Sequence, residues 1–180
     1  MPLKHFFVCM ALACGGCGPK ISAPPAHDNE PRQVEFTVAN LKGGSLTLEE
    51  YRGRFVLLHF WASWCIPCRT ELSELQHFYQ SVGPNKLAVI AIAVESDWSD
   101  VDGLVKALRI TYPVGFDRGS VLREALNVSG VPVSFLVDRS GRLAQILDPA
   151  DMQLKPSLAG PRQWAQPSIA EAYRKLIKLD

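Results

Sequence analysis

Two thiols three residues apart, in Cys65-Ile66-Pro67-Cys68, are the side chains of this chain best suited to chemistry. On the first turn of a helix they approach closely enough to close a disulfide over a very short loop. The unpaired N–H groups of such a turn, together with the helix dipole, stabilise an anion. A thiolate at Cys65 is therefore favoured, and each unit by which its pKa falls is worth about 1.36 kcal/mol. Cys68 is then placed to attack a mixed disulfide on Cys65, which expels the outer thiol and restores the ring. Pro67 suits this turn, where a missing N–H costs little. The other cysteines, Cys9, Cys14 and Cys17, all precede residue 18, and none follows residue 68, so no disulfide framework is spread through the fold.

A strand and a helix must carry the pair. Phe55-Val56-Leu57-Leu58-His59-Phe60-Trp61 is a nearly unbroken apolar run of strand length, the pattern of a central strand covered on both faces. From about Cys65 to Val82 the residues Cys68, Leu72, Leu75, Tyr79 and Val82 share one helical face. Around this core the sequence predicts strands over Val34–Val38 and Ser45–Leu48, joined by Gly43-Gly44, and further strands over Leu87–Val94, Tyr112–Phe116 and Val133–Val137. Thr47 with Glu50, and Ser168 with Glu171, have the spacing of capping boxes, the second opening a final helix. Further helices are expected from Ser99 and around Val121–Leu126. Asp138-Arg139-Ser140-Gly141 reads as a hairpin turn with Leu143–Leu147 as the returning strand, and Asp148–Pro167 has no period. Strand–helix alternation ending in a hairpin and a helix gives an α/β fold: a mixed central sheet flanked by helices, with an N-terminal β-hairpin extension.

Length, charge and the N-terminus bound the function. One hundred and eighty residues make about one domain, and 47% hydrophobic against 21% charged residues is the balance of a globular chain. A net charge of +1 lacks the field a nucleic-acid binder needs, so no nucleic acid is expected as partner. Residues 1–17 read as a leader, with Lys4 and His5, an apolar stretch Phe6–Ala13, and small residues before Cys14. The pattern resembles a bacterial lipoprotein signal in which Cys14 is acylated, while an ordinary secretory leader fits the same residues. Residues 18–33, with Pro19, Pro24, Pro25 and Pro31, read as a flexible tether, and 34–180 as the folded domain. A lipid anchor on such a tether holds a domain at a membrane surface, in the periplasm or another extracytoplasmic compartment, without spanning the bilayer.

The segment Phe60-Trp61-Ala62-Ser63-Trp64-Cys65-Ile66-Pro67-Cys68-Arg69 resembles the active-site segment of the thioredoxin superfamily, in particular its TlpA/ResA-like membrane-tethered branch. Gly130-Val131-Pro132-Val133-Ser134-Phe135 is similar to the segment bearing that fold's cis-proline. The resemblance covers about residues 34–147, with a weaker tail at Gly160, Trp164 and the last helix. It implies a thioredoxin-like fold and a thiol–disulfide oxidoreductase of the cell envelope. Cys65 would be the nucleophile and Cys68 the resolving thiol, with Pro132, Val131 and Trp64 at the edge where clients dock. Disulfide-containing client proteins and a membrane electron donor are the implied partners, without a cofactor. Glu71 matches an acidic residue one turn past the second cysteine that could exchange a proton with Cys68; the competing reading is an exposed first-turn glutamate that complements the helix dipole. His59 occupies the place of thioredoxin's buried acid, and an ordinary imidazole pKa of about 6.5 would suit a proton relay; the competing reading is a hydrogen-bonded core histidine.

The chain also departs from its relatives. Ser73 stands where thioredoxin has a kinking proline, and Ile66-Pro67 is neither Gly-Pro nor Pro-His, which leaves the redox potential open. Val133-Ser134 replaces the Glu-Thr often found after the cis-proline of cytochrome c maturation reductases. Two alternatives share the fold. A peroxiredoxin-like peroxidase would carry Thr or Ser where this chain has Ala62. A Sco-like copper module uses a CxxxC spacing and a distant histidine, and one CxxC supplies only two of the roughly four ligands zinc wants, so no metal is expected.

Overall fold

The computed structural model describes residues 31–95 and 97–178. The leader, Cys14, Cys17 and His27 lie outside the described residues. At the centre, β3 (Phe55–Trp61) runs parallel to β4 (Leu87–Ala93), and every residue of both is buried. That is why their apolar runs are continuous and not alternating. β6 (Val133–Val137) flanks β3 antiparallel, and β5 (Val114–Phe116) flanks β4 parallel. β1 (Thr37–Asn40) pairs antiparallel with β5 and with β2 (Ser45–Thr47), which ends that side of the sheet. Gly115 is required there: a Cβ on it would lie 2.6 Å from Val38 Cγ2.

Alternate residues of β3 face opposite layers. Leu57 and Trp61 share a core with α1 (Ile66–Val82), α2 (Trp98–Ala107) and α4 (Pro167–Leu176), through Leu72, Leu75, Phe78, Val101, Ile169 and Tyr173. Val56, Leu58 and Phe60 pack on the other face with Leu46, Leu48 and, from α3 (Val121–Ala125), Leu122. Burying each such side chain contributes about 1.5–3 kcal/mol. The result is a mixed sheet between helices, α/β in class.

The outer edge of β6 is shared. β7 (Leu143–Ala144) pairs with its C-terminal half, Leu136↔Ala144 and Val137↔Leu143. The chain then leaves the edge, pairs β8 (Ile146–Leu147) with β9 (Leu154–Lys155), and returns as β10 (Leu158–Ala159). β10 covers the N-terminal half of β6, Leu158↔Ser134 and Ala159↔Val133, next to Pro132. So Leu143–Leu147 is not one returning strand, and the stretch after Asp148 is a structured strap.

Other expectations shift by local competition. The strand expected over Val34–Val38 starts at Thr37, because Val34 N–H is already bonded to Gly141 O (2.8 Å) and Gln33 bridges Arg142. Gln33, the last residue assigned to the expected tether, is thus already paired in the fold. Neither capping box forms. Thr47 Oγ1 donates to the Glu50 carboxylate (3.0 Å) before a 3-10 turn, Leu48–Tyr51. At α4, Gln166 is the N-cap and Pro167 opens the helix, so Ser168 lies inside the first turn and makes no capping bond. α2 begins at Trp98, one residue before the expected Ser99, because Asp97 caps it by accepting from Ser99 N–H (2.9 Å).

Candidate active site

β3 ends at Trp61, and the loop 62–65 turns the chain into α1 with Cys65 at the N-cap. Cys65 and Cys68 form a disulfide with their Cα atoms 5.2 Å apart. The Cys68 amide donates to Cys65 Sγ at 3.3 Å, so a helix-start N–H already points at that sulfur. Cys65 is 6% exposed and Cys68 0%, which leaves Cys65 as the sulfur an outside group can approach. Trp64 and Ile66, 65% and 76% exposed, form an apolar rim beside it, while Trp61 is fully buried in the core.

The Val131–Pro132 peptide is cis, and Cys65 Sγ lies 3.8 Å from the Val131 carbonyl oxygen. Leu126, Val131, Pro132, Phe135, Ser157 and Gly160 line a groove along this edge, and Trp64, Val94, Arg123 and Val131 line a second beside it. Gly160 N–H donates to Pro132 O (2.9 Å), fixing the strap against the proline.

A second set of contacts holds the loop. Glu95, just past β4, accepts from the Ser63 N–H through one carboxylate oxygen and from Ser63 Oγ (2.6 Å) through the other, while Arg69 Nε donates to Ser63 O (2.6 Å). Ser63 is thus held on both sides two residues before the N-cap cysteine. Sequence reading missed Glu95, because only the parallel pairing of β3 and β4 brings residues 32 apart together.

Glu71, on the buried face of α1, is only 2% exposed, so it is not the exposed first-turn glutamate of the competing reading. Trp164 Nε1 donates to its Oε1 at 2.6 Å, and Oε2 is buried without a hydrogen-bond partner among the described residues. Burial raises its pKa; the Trp164 N–H and the nearby Arg162 backbone and charge draw it back, leaving it at about 7. Burial thus outweighs the donors, and the carboxyl has a pKa near neutral pH.

His59 lies on the α1 side of β3, directly across from Ser134, and its Nδ1 shares a hydrogen bond with Ser134 Oγ (2.9 Å). Complete burial lowers its pKa to about 3, so the ring is uncharged at neutral pH. The ordinary value of 6.5 does not survive this strand. A buried cation without a carboxylate partner is too costly. Its Nε2 has no hydrogen-bond partner among the described residues.

The strap that carries Trp164 is tied at Asp148, which is 1% exposed. Asp148 accepts from Lys155 Nζ (2.6 Å), Arg162 Nε (2.7 Å) and the Ala150 N–H (2.9 Å). Among the described residues, no group of three or more His, Cys, Asp or Glu is arranged to hold a metal ion. Likewise no described helix is long and apolar enough to cross a membrane.

Comparison with known proteins adds to this geometry. A family model described as the AhpC/TSA family matches residues 31–146. The thiol-disulfide oxidoreductase ResA of Geobacillus kaustophilus is 31% identical over 113 residues, covering 63% of this chain and 65% of that protein. The match therefore spans just under two thirds of that curated relative's length. ResA of Bacillus cereus is 27% identical over 143 residues, covering 77% and 83% of the two chains. A thioredoxin-family thiol:disulfide interchange protein from Chlorobium tepidum superposes with a TM-score of 0.65 at 23% identity, covering 84% of this chain and 97% of that one. The sheet described above is a thioredoxin fold.

Proposed function

The chain belongs to the AhpC/TSA family, on a thioredoxin fold, and from that premise we propose that it is a thiol–disulfide oxidoreductase of the cell envelope, reducing disulfides of exported client proteins. One observation carries the reading: a disulfide closed at the N-cap of α1, of which only Cys65 reaches the surface, beside the backbone of Val131 and Pro132.

In the reduced enzyme the Cys68 amide that meets Cys65 Sγ favours a thiolate there. A client strand docks along Val131-Pro132, with the exposed Trp64 as an apolar wall. The Cys65 thiolate attacks one client sulfur; a Cys65–client disulfide forms and the other client sulfur leaves as thiolate. The Cys68 thiol then gives its proton to Glu71 and attacks Cys65 Sγ. The Cys65–Cys68 disulfide closes, the second client thiolate leaves, and two electrons have passed to the client. A two-electron thiol donor at the membrane returns the pair to the dithiol. Glu71 handles the proton, since its carboxyl has a pKa near neutral pH, whereas His59 serves as a neutral hydrogen-bonding group on β3. On the sequence pattern, acylation of Cys14 and the proline-rich tether that follows it hold the domain at the membrane surface.

Insulin reduction by the full chain and by Cys65→Ser and Cys68→Ser variants tests this. Cys65→Ser is expected to lose turnover to background, and Cys68→Ser to accumulate a mixed disulfide with the client. A mixed disulfide on Cys65→Ser but not on Cys68→Ser would reverse the two roles. Undiminished turnover by Cys65→Ser would end the proposal.

A further inference from the structure

The strap between Asp148 and Trp164 meets the active site twice. At one point Gly160 N–H is bonded to Pro132 O, on the groove where a client would lie. Four residues on, Trp164 donates to Glu71. Between them Arg162 is fastened to Asp148 through Nε (2.7 Å) and Nη2 (3.2 Å), so the short link is held at its middle. Trp164 is wholly buried, with its ring 5.2 Å from Phe78 and 5.9 Å from Tyr173. A large aromatic of another kind would satisfy much of that packing. Only tryptophan adds a ring N–H with no acceptor function, and that N–H is spent on Glu71 Oε1.

We propose that Trp164 is the positioning residue for Glu71: the strap holds its indole N–H on Oε1, leaving Oε2 as the atom that takes the Cys68 proton, and so sets how readily the carboxyl accepts it. The inference rests on the reading of Glu71 as proton acceptor. An N–H donor favours the ionised form, so the indole keeps a buried carboxyl available as a base near neutral pH. The other groups acting on Glu71 do not replace it. Arg162, on the strap, favours ionisation; Glu74, on α1, opposes it. Tyr112, close enough to feel the Glu71 charge, donates its hydroxyl to Leu72 O (3.0 Å).

The test separates the hydrogen bond from the proton-acceptor role. In the oxidised full chain, the infrared C=O band of the protonated carboxyl, assigned by its loss in Glu71→Gln, is titrated against pH. Its midpoint is expected to rise by about one to two pH units in Trp164→Phe, the range expected for one hydrogen bond to a charged group. The sulfur isostere benzothienylalanine at position 164, which keeps the ring shape and lacks the N–H, is expected to give the same rise. An unmoved midpoint with the isostere would overturn the proposal, whatever Trp164→Phe does to folding. In insulin reduction, the acid limb of the pH–rate profile should follow the midpoint upward, and Trp164→Phe should move nothing in a Glu71→Gln background. Equal shifts in both backgrounds would reduce Trp164 to packing and overturn the proposal. A moved midpoint with a wild-type rate profile in Glu71→Gln would keep the hydrogen bond and overturn the proton-acceptor role.

Discussion

Two carboxylates in this molecule are almost equally hidden, Glu71 at 2% and Asp148 at 1% exposure, yet they have opposite acidities. Burial raises both. At Asp148 the hydrogen bonds from Lys155, Arg162 and the Ala150 amide outweigh it and bring the pKa to about 2. At Glu71 the indole N–H and the influence of Arg162 are not enough, and the carboxyl rests at about 7. The difference lies in the partners and not in the depth. Direct hydrogen bonds from two cations make a carboxylate a permanent anion that ties a strap together, whereas neutral N–H donors and a more distant charge leave a group that gains or loses a proton near neutral pH. Arg162 acts on both, with its guanidinium bonded to Asp148 and its charge felt at Glu71.

Three changes would break or sharpen that contrast. The largest is Asp148→Asn, which leaves Lys155 and Arg162 without their shared anion. Because both cations keep some access to water, the cost falls at the low end for a broken buried pair, about 3 kcal/mol, read from denaturant midpoints at pH 7. No loss of stability would mean that Asp148 does not hold the strap.

Similar in size but opposite in sense is the pH response of Glu71→Gln. With a folded pKa above its unfolded value of about 4.5, the Glu71 carboxyl favours the folded state when protonated. Its contribution is therefore full below pH 4.5, declines as pH rises to about 7, and stays lost above. Between pH 4 and pH 8 the stability difference should move in favour of Glu71→Gln by about 3 kcal/mol. Asp148 behaves in the reverse sense: its contribution is present above pH 3.8 and is lost as pH falls towards 2. A difference between wild type and Glu71→Gln that stays flat from pH 4 to pH 8 would show that Glu71 has an ordinary acidity.

The smallest effect expected is that of Lys155→Met, about 1 kcal/mol or less in the same denaturant assay. Lys155 is partly exposed, and Arg162 remains to satisfy Asp148. A loss as large as that of Asp148→Asn would shift the hold on Asp148 from Arg162 to the lysine.

What could be read in advance followed the range of the contacts. β3 (Phe55–Trp61) and β6 (Val133–Val137) have the bounds their apolar runs predict, and α1 begins one residue after Cys65, because strand and helix periodicity are written in neighbouring residues. The strap was opaque for the opposite reason. β10 is two residues long and exists because the edge of β6 beside Pro132 offers it unpaired backbone groups, which Leu158-Ala159 does not announce. The same holds for the capping boxes: Ser168 and Glu171 have the right spacing, but Gln166 is the N-cap and Pro167 takes the first helical position, two residues earlier than a Ser168 cap would set it.

The chain by itself determined the pair of thiols and the strand and helix that present it, because a thiol at i and another at i+3 on a helix start are a local fact. It also singled out Glu71 and His59 without giving either its character. That was decided only when packing brought Trp164 onto Glu71 from 93 residues away and Ser134 onto His59 from 75. Acidity is a property of surroundings, and surroundings are assembled by the tertiary fold.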